Sequence, residues 1–212
     1  MTKKGRKSIA DERRAQILDA FHICAVRRGL ERASLREVAE EAGLPVSNLH
    51  HFFKNREEMV SELVKRIMAG IIDDLRAELQ DESDSHRRFR KSIDFLFSPN
   101  AQRLGDGSLY YDFWSLAHRS ETVRRTFRGQ IGNVRGAIVE TLRETPNFSG
   151  LSKTDMSEIA NVMIALVEGA FYILDMDGEN VHPARMARLI RRFLELYAQE
   201  RMRERNRKGI AA

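Results

Sequence analysis

Cysteine occurs once, at Cys24, so no intramolecular disulfide can form and nothing supports a disulfide-stapled secreted scaffold. Its neighbours Phe21, Ile23 and Ala25 give it a core-packing role. Proline occurs four times, at Pro45, Pro99, Pro146 and Pro183, and each stands at the break or the start of a helical pattern. Long apolar runs are missing. The most apolar stretch, 159–174, contains Asn161 and Glu168 and falls short of the roughly 20 residues a membrane span needs. The first residues are polar and basic with no apolar stretch after them, so no signal peptide is expected and the chain is expected in the cytoplasm. No Gly-rich phosphate loop, CxxC pair, HExxH or nucleophile elbow occurs. His22 and Cys24, two apart on a helix, point in different directions. An enzyme is therefore not expected, and no cofactor is called for. Glu78, Asp81, Glu82 and Asp84 fall in a helix end and turn without supporting histidines. His50 and His51, adjacent in sequence, do not share a helix face, so no metal site is expected.

Charge is what the chain has in quantity: 36 Lys and Arg against 31 Asp and Glu, a formal +5 and a pI near 9.5 in 212 residues. That balance allows nucleic-acid binding without establishing it, and position is more informative than the total. Lys3, Lys4, Arg6 and Lys7 crowd the amino terminus, either as a basic arm that neutralises phosphates or as a solvated tail. Arg201, Arg203, Arg205, Arg207 and Lys208 form a second run, which suits the carboxyl end of a helix.

The stretch Ser34 to Phe53, SLREVAEEAGLPVSNLHHFF, reads as helix, tight turn, helix. Ser34 with Glu37 is a capping box, in which the serine oxygen takes an orphan backbone donor and the glutamate reaches back. Leu35, Val38, Ala39 and Ala42 recur at helical spacing. Gly43 stops that helix, and Pro45 suits the start of the next. Leu49, Phe52 and Phe53 anchor the second helix, leaving Val46, Ser47, Asn48, His50 and His51 on or near its exposed front. This is helix-turn-helix geometry, whose second helix enters the DNA major groove. Asn48, His50 and His51 are candidates for base edges or nearby phosphates, and Val46 for a thymine methyl. Ser34, Arg36, Lys54 and Arg56 are candidates for phosphate contacts that set register.

From about Arg13 to Leu63 the chain resembles the DNA-binding domain of the TetR family of bacterial transcription regulators. The pieces that carry the likeness are AQILDAF with RRGLERAS, then LREVAEEAGL, then LHHFFKNREEMVSELV. His50 stands where that family usually has tyrosine, and Pro45 where it often has serine. The stretch YYDFWSLAHRSETVR further resembles the effector domain of BetI-like members, a subgroup that includes the choline-responsive repressor of betaine synthesis.

The fold class expected is all-α, with about nine helices. A three-helix helix-turn-helix DNA-binding domain with a basic arm occupies 1–55, a helical-bundle effector and dimerisation domain 56–206, and a disordered tail 207–212. Helix 1 runs from about Ser8 to Arg28 on the stripe Ile17, Leu18, Phe21, Cys24 and Ala25. Asn55 caps a long helix to about Gln80, and the next spans His86 to Phe97. Residues 100–107 read as a loop, and a single amphipathic helix continues from Ser108 to about Glu144. Ser152 caps a helix that is apolar on nearly every side over 159–174, so burial on more than one face is expected. Pro183 opens the last helix. Two apolar helices at the end suit a four-helix bundle made with a second subunit, and the resemblance implies the same: a homodimer through the last two helices. The interface candidates are Met163, Val167, Met186, Leu189, Ile190, Phe193 and Tyr197.

A dimer would read a pseudo-palindromic double-stranded operator with its recognition helices about one DNA turn apart. The resemblance implies repression relieved by a small-molecule inducer. Pocket candidates are Phe97, Tyr110, Phe113, Trp114, His118, Glu168, Phe171 and Tyr172, each equally open to ordinary core packing. Trp114 and Tyr110 with Glu168 would suit a cationic or quaternary ammonium effector, because aromatic faces attract cations. The alternative is a protein of the same fold that answers to a protein partner or to DNA alone.

Overall fold

The computed structural model describes residues 4–98 and 107–209, with the backbone alone described at 4–8, 107, 108 and 208. The loop expected over 100–107 falls almost wholly outside the described residues, as do Lys3 and the tail beyond Gly209; of Lys4, Arg6 and Lys7 only the backbone is described. Among the described residues there are nine α-helices and no strands. They are α1 (Lys4–Arg28), α2 (Leu35–Glu41), α3 (Val46–Phe52), α4 (Arg56–Leu79), α5 (Ser85–Leu96), α6 (Gly107–Arg119), α7 (Glu121–Glu144), α8 (Lys153–Asp177) and α9 (Pro183–Lys208). The backbone forms two compact units, 1–69 with 105–130 and 70–104 with 131–212. Their boundaries fall inside α4 and α7 rather than after residue 55, so the first unit is larger than the expected DNA-binding domain.

In the first unit α1 packs on α2, α3 and α6. The stripe Ile17, Leu18, Phe21, Cys24 and Ala25 is buried as its spacing requires, while Ile23 is turned outward. Burial raises the Cys24 thiol pKa, and Glu41 pushes it in the same direction. Helix α1 begins four residues earlier than expected. The segment expected as one helix over 108–144 is two: Ser120 caps the start of α7, and Arg124 takes the last carbonyls of α6. The Ser120 hydroxyl accepts from Val123 N–H at 3.3 Å, and the Arg124 guanidinium donates to the carbonyls of Ala117 and His118, each at 2.9 Å. The last carbonyls of α6 are thus satisfied by a side chain and not by continued helix.

In the second unit a core gathers Phe89, Ile93, Leu142, Phe148, Ile159 and Leu194, with the Phe89 and Phe148 rings 4.9 Å apart. Helix α5 starts on Asp84, whose carboxylate accepts from Arg87 N–H at 2.8 Å. Glu82, in the acidic segment before it, pairs with Arg87 at 3.2 Å and Lys91 at 3.3 Å. Helix α8 starts on a capping box of Ser152 and Asp155. Asp155 is buried and also accepts from Arg201 at 2.7 Å and Arg205 at 3.2 Å, which ties the start of α8 to the end of α9. Burial pushes this carboxyl's pKa up, and the bonds from Ser152, Arg201 and Arg205 more than offset it, leaving it at about 2.

Helix α8 is not enclosed on several faces. Met156, Ile159, Met163, Val167 and Ala170 face the core, while Val162, Leu166, Tyr172, Ile173 and Met176 are exposed. By length and composition α8 is long and apolar enough to cross a membrane, contrary to the shorter run read from the sequence, but its inner face belongs to the core of a helical unit. Of the interface candidates, Met163, Val167 and Ile190 are 4%, 7% and 6% exposed. The chain's own core covers them, so they have no surface left for a second subunit. Met186 is partly buried against the same core, whereas Leu189, Phe193 and Tyr197 are exposed.

Candidate nucleic-acid interface

The first motif helix is held at its start by the expected reciprocal cap. The Ser34 hydroxyl accepts from Glu37 N–H at 3.2 Å, and the Glu37 carboxylate accepts from Ser34 N–H at 3.0 Å and from its hydroxyl at 2.9 Å. The backbone bond from Ser34 lowers the Glu37 carboxyl's pKa. Gly43 takes φ +63°, a left-handed conformation that side chains with a Cβ rarely adopt, and the chain turns there. Pro45 is the residue before α3 and its carbonyl accepts from Asn48 N–H at 2.9 Å, while Leu49 and Phe53 plug α3 into the core at 1% and 2% exposure. Burying two such side chains contributes about 1.5–3 kcal/mol each.

Two side chains of α1 complete the seating. Gln16 donates to Ala42 O at 2.8 Å, taking a terminal carbonyl of α2. Arg14 donates to Phe52 O at the end of α3 and to Glu58 at 3.3 Å, with its guanidinium carbon 4.3 Å from the centre of the Phe53 ring. Sequence reasoning does not find Arg14 or Gln16. Their partners lie 38 and 26 residues away, and no local spacing marks them.

What remains outward on α3 is Val46, Ser47, His50 and His51, with Asn48 partly exposed and the His51 ring edge-on to Phe52 at 5.1 Å. The helix carries no Lys or Arg. Arg36 projects from α2 with its side chain 84% exposed and pairs along its own helix with Glu40 at 3.2 Å. Lys54 is also exposed. Ser34 is exposed, but its hydroxyl is engaged in the cap.

Arg56 does not belong with them. Its guanidinium donates to Ala33 O at 2.6 Å and to Leu30 O, and lies 5.4 Å from the centre of the Phe21 ring. Burial lowers its pKa, with Glu31 acting in the opposite direction. Arg56 commits both terminal nitrogens of its guanidinium to the loop between α1 and α2, which gives it a structural role that Arg36 and Lys54 do not have.

The effector candidates divide between the units. In the first, Tyr110 packs on Phe127 at 5.6 Å between ring centres, Phe113 is buried, and Trp114 is 52% exposed with the exposed His118 ring 4.4 Å away. In the second, Phe97 is buried 6.1 Å from the Phe171 ring, Glu168 is partly buried and Tyr172 is exposed. A cavity of about 320 Å³ opens between α1 and α2, lined by Cys24, Arg27, Arg28, Glu37, Glu40 and Glu41. None of the effector candidates lines it.

Residues 17–63 match the model of bacterial regulatory proteins, tetR family, and residues 84–193, about half the chain, match the tetracyclin repressor-like C-terminal domain. The chain is 23% identical to the HTH-type transcriptional regulator PksA of Bacillus subtilis over 92% of its own length and 94% of that protein's. A proposed transcriptional regulator from Pseudomonas aeruginosa PAO1 shares the fold with a TM-score of 0.76 at 21% identity, covering 92% of this chain and 94% of that one. A second, from Saccharomonospora viridis and solved in complex with choline, has a TM-score of 0.72 at 20% identity, covering 87% and 96%.

Proposed function

The chain belongs to the TetR family of bacterial regulatory proteins, and from that premise we propose that it works as a homodimeric repressor, released from a pseudo-palindromic operator by a small molecule. It is a DNA-binding transcription regulator. The observation that carries the reading is the split character of α3, with Leu49 and Phe53 buried behind it and Val46, Ser47, His50 and His51 in solvent ahead of it. A helix so seated presents an uncommitted front of about the width a major groove admits.

The dimer rests on the outer faces of α8 and α9. Tyr172 and Met176 on the first are 55% and 63% exposed, and Leu189 and Phe193 on the second 69% and 53%. Apolar surface of this extent on a lone chain marks a protein contact. Two copies joined there hold two α3 helices, and a two-fold axis turns one half-site into a pseudo-palindrome.

The effector acts by preferring a conformation whose recognition helices no longer fit the groove spacing, and it can shift the balance only by its differential affinity. Trp114, the only tryptophan and half exposed, is a built-in fluorescence reporter. Choline, which the Saccharomonospora structure contains, is the first compound to titrate against it, and a neutral or anionic compound that binds where choline does not would exclude a cationic effector.

The central experiment is selection of bound sequences from a random DNA pool, followed by salt titration of the winner. A pseudo-palindrome whose affinity falls steeply with salt and is abolished in Asn48→Ala with His51→Ala is the expected result. Failure of the intact dimer to enrich any sequence contradicts the reading.

A further inference from the structure

The loop between α1 and α2 sets where the helix-turn-helix begins, since Ala33 directly precedes the cap residue Ser34. The chain leaves α1 through Gly29 at φ +84°, which puts the next peptide group beyond the reach of the helix ladder. Both polar groups of Leu30 are then taken by side chains from elsewhere. Its N–H donates to the Asp112 carboxylate at 2.7 Å, and its carbonyl accepts from Arg56. Asp112 lies on α6, 82 residues along the chain, in the same compact unit. A second link, Arg119 to Glu31 at 2.6 Å, joins the same helix to the same loop. Both partners there are more than 60% exposed, so solvent screens that pair and the Asp112 bond is the stronger restraint.

We propose that Asp112 is a positioning residue for operator binding: it fixes the α1–α2 loop, and through it the start of α2 and the angle at which α3 is offered, without touching DNA. This rests on the DNA-binding reading above. Groove recognition requires side chains held within fractions of an ångström. Arg56 holds the loop by its Leu30 and Ala33 carbonyls from the side of α4, and the Asp112 carboxylate holds the Leu30 amide from α6, so the loop is fixed between two elements and not by one. Helix α6 is therefore a working part of the DNA-binding module, although it lies outside the segment 17–63 that matches the family's DNA-binding model.

The test uses full-length protein and the selected operator. Asp112→Asn keeps an oxygen that can accept from Leu30 N–H, and Asp112→Ala removes it. Operator affinity is expected to fall at least fivefold in D112A and to stay within twofold of the parent in D112N. The salt dependence should be unchanged in both, because every phosphate-binding side chain is still present. Hydrogen exchange gives a readout that a purely structural bond would not move. If the bond is linked to DNA binding, operator must tighten it in turn, so exchange at the Leu30 amide slows further when operator is added to the parent protein. Parental affinity in a folded D112A, or Leu30 exchange indifferent to operator, overturns the proposal. Should D112A fail to fold, the exchange measurement on the parent and on D112N decides. A parent protein that binds no operator removes the DNA-binding reading itself, an outcome distinct from a parent that binds and a D112A that binds equally well.

Discussion

Two arginines at the DNA-binding end, Arg36 and Arg56, are alike by sequence and opposite by structure, and substituting them separates the roles. Arg56 donates to two backbone carbonyls, Ala33 at 2.6 Å and Leu30. Lysine keeps the charge but not the planar fork, so Arg56→Lys leaves one partly buried carbonyl without its donor. A hydrogen bond to a charged group contributes about 1.5–3 kcal/mol, which for a chain of this size lowers the melting temperature by roughly 3–12 °C. Arg36, 84% exposed and paired with Glu40 on its own helix, contributes under about 0.5 kcal/mol to stability. Removing one cation that neutralises a phosphate reduces the slope of log affinity against log salt by about 0.9. Arg36→Ala should therefore leave the melting temperature nearly unchanged and flatten the slope by that amount. Arg56→Lys should lower the melting temperature and leave the slope alone. Thermal unfolding with fluorescence anisotropy at several salt concentrations measures both quantities. An unchanged melting temperature in the Arg56 variant would refute the assignment.

Other substitutions probe the remaining parts. The folded-state pKa of Asp155 is about 2 against an ordinary value of 3.8, so the network it anchors stabilises the fold above about pH 4 and is lost as pH falls through about 2. Asp155→Asn should cost about 2 kcal/mol at pH 7, and urea titrations should show the gap to the parent closing below about pH 3. A gap that does not change with pH would mean that the ion pairs are not its source. Leu189→Asp places a charge on the exposed face of α9, and analytical ultracentrifugation is expected to show a folded monomer with weakened operator binding; an unaltered dimer would locate the interface elsewhere. The Ser61 hydroxyl in α4 is buried and has no hydrogen-bond partner among the described residues. Ser61→Ala should raise stability by about 1 kcal/mol in a denaturant titration, and a decrease in stability would show that the hydroxyl has a partner after all.

Local order is legible in the chain wherever the partner of a group lies within one helical turn. Ser34 with Glu37, Ser152 with Asp155 and Asn55 with Glu58 all cap helices as their three-residue spacing requires, and Gly43 turns the chain where a left-handed residue is needed. Periodicity likewise identifies the buried stripe of α1 and the anchors Leu49 and Phe53. These are short-range consequences of backbone geometry, so the order of residues is enough to establish the helix-turn-helix and the all-α class. The break at Ser120 leaves no mark in the pattern because the apolar stripe continues across it, and what ends α6 is the reach of Arg124 back to two carbonyls.

Tertiary structure alone decided which members of a pattern face which surface. Met163 and Leu189 both sit on apolar stripes, yet one is 4% and the other 69% exposed, because a helix that is apolar on two sides gives no sign of which side its own chain will cover. Arg56 carries the same charge as Arg36 and follows the recognition helix closely, but two carbonyls 23 and 26 residues earlier each take a donor from it. Asp112, one polar residue in an aromatic helix, becomes the acceptor for an amide 82 residues away. Sequence spacing encodes contacts that the backbone brings about within a turn or two. Which distant carbonyl meets which guanidinium follows only once the helices have packed.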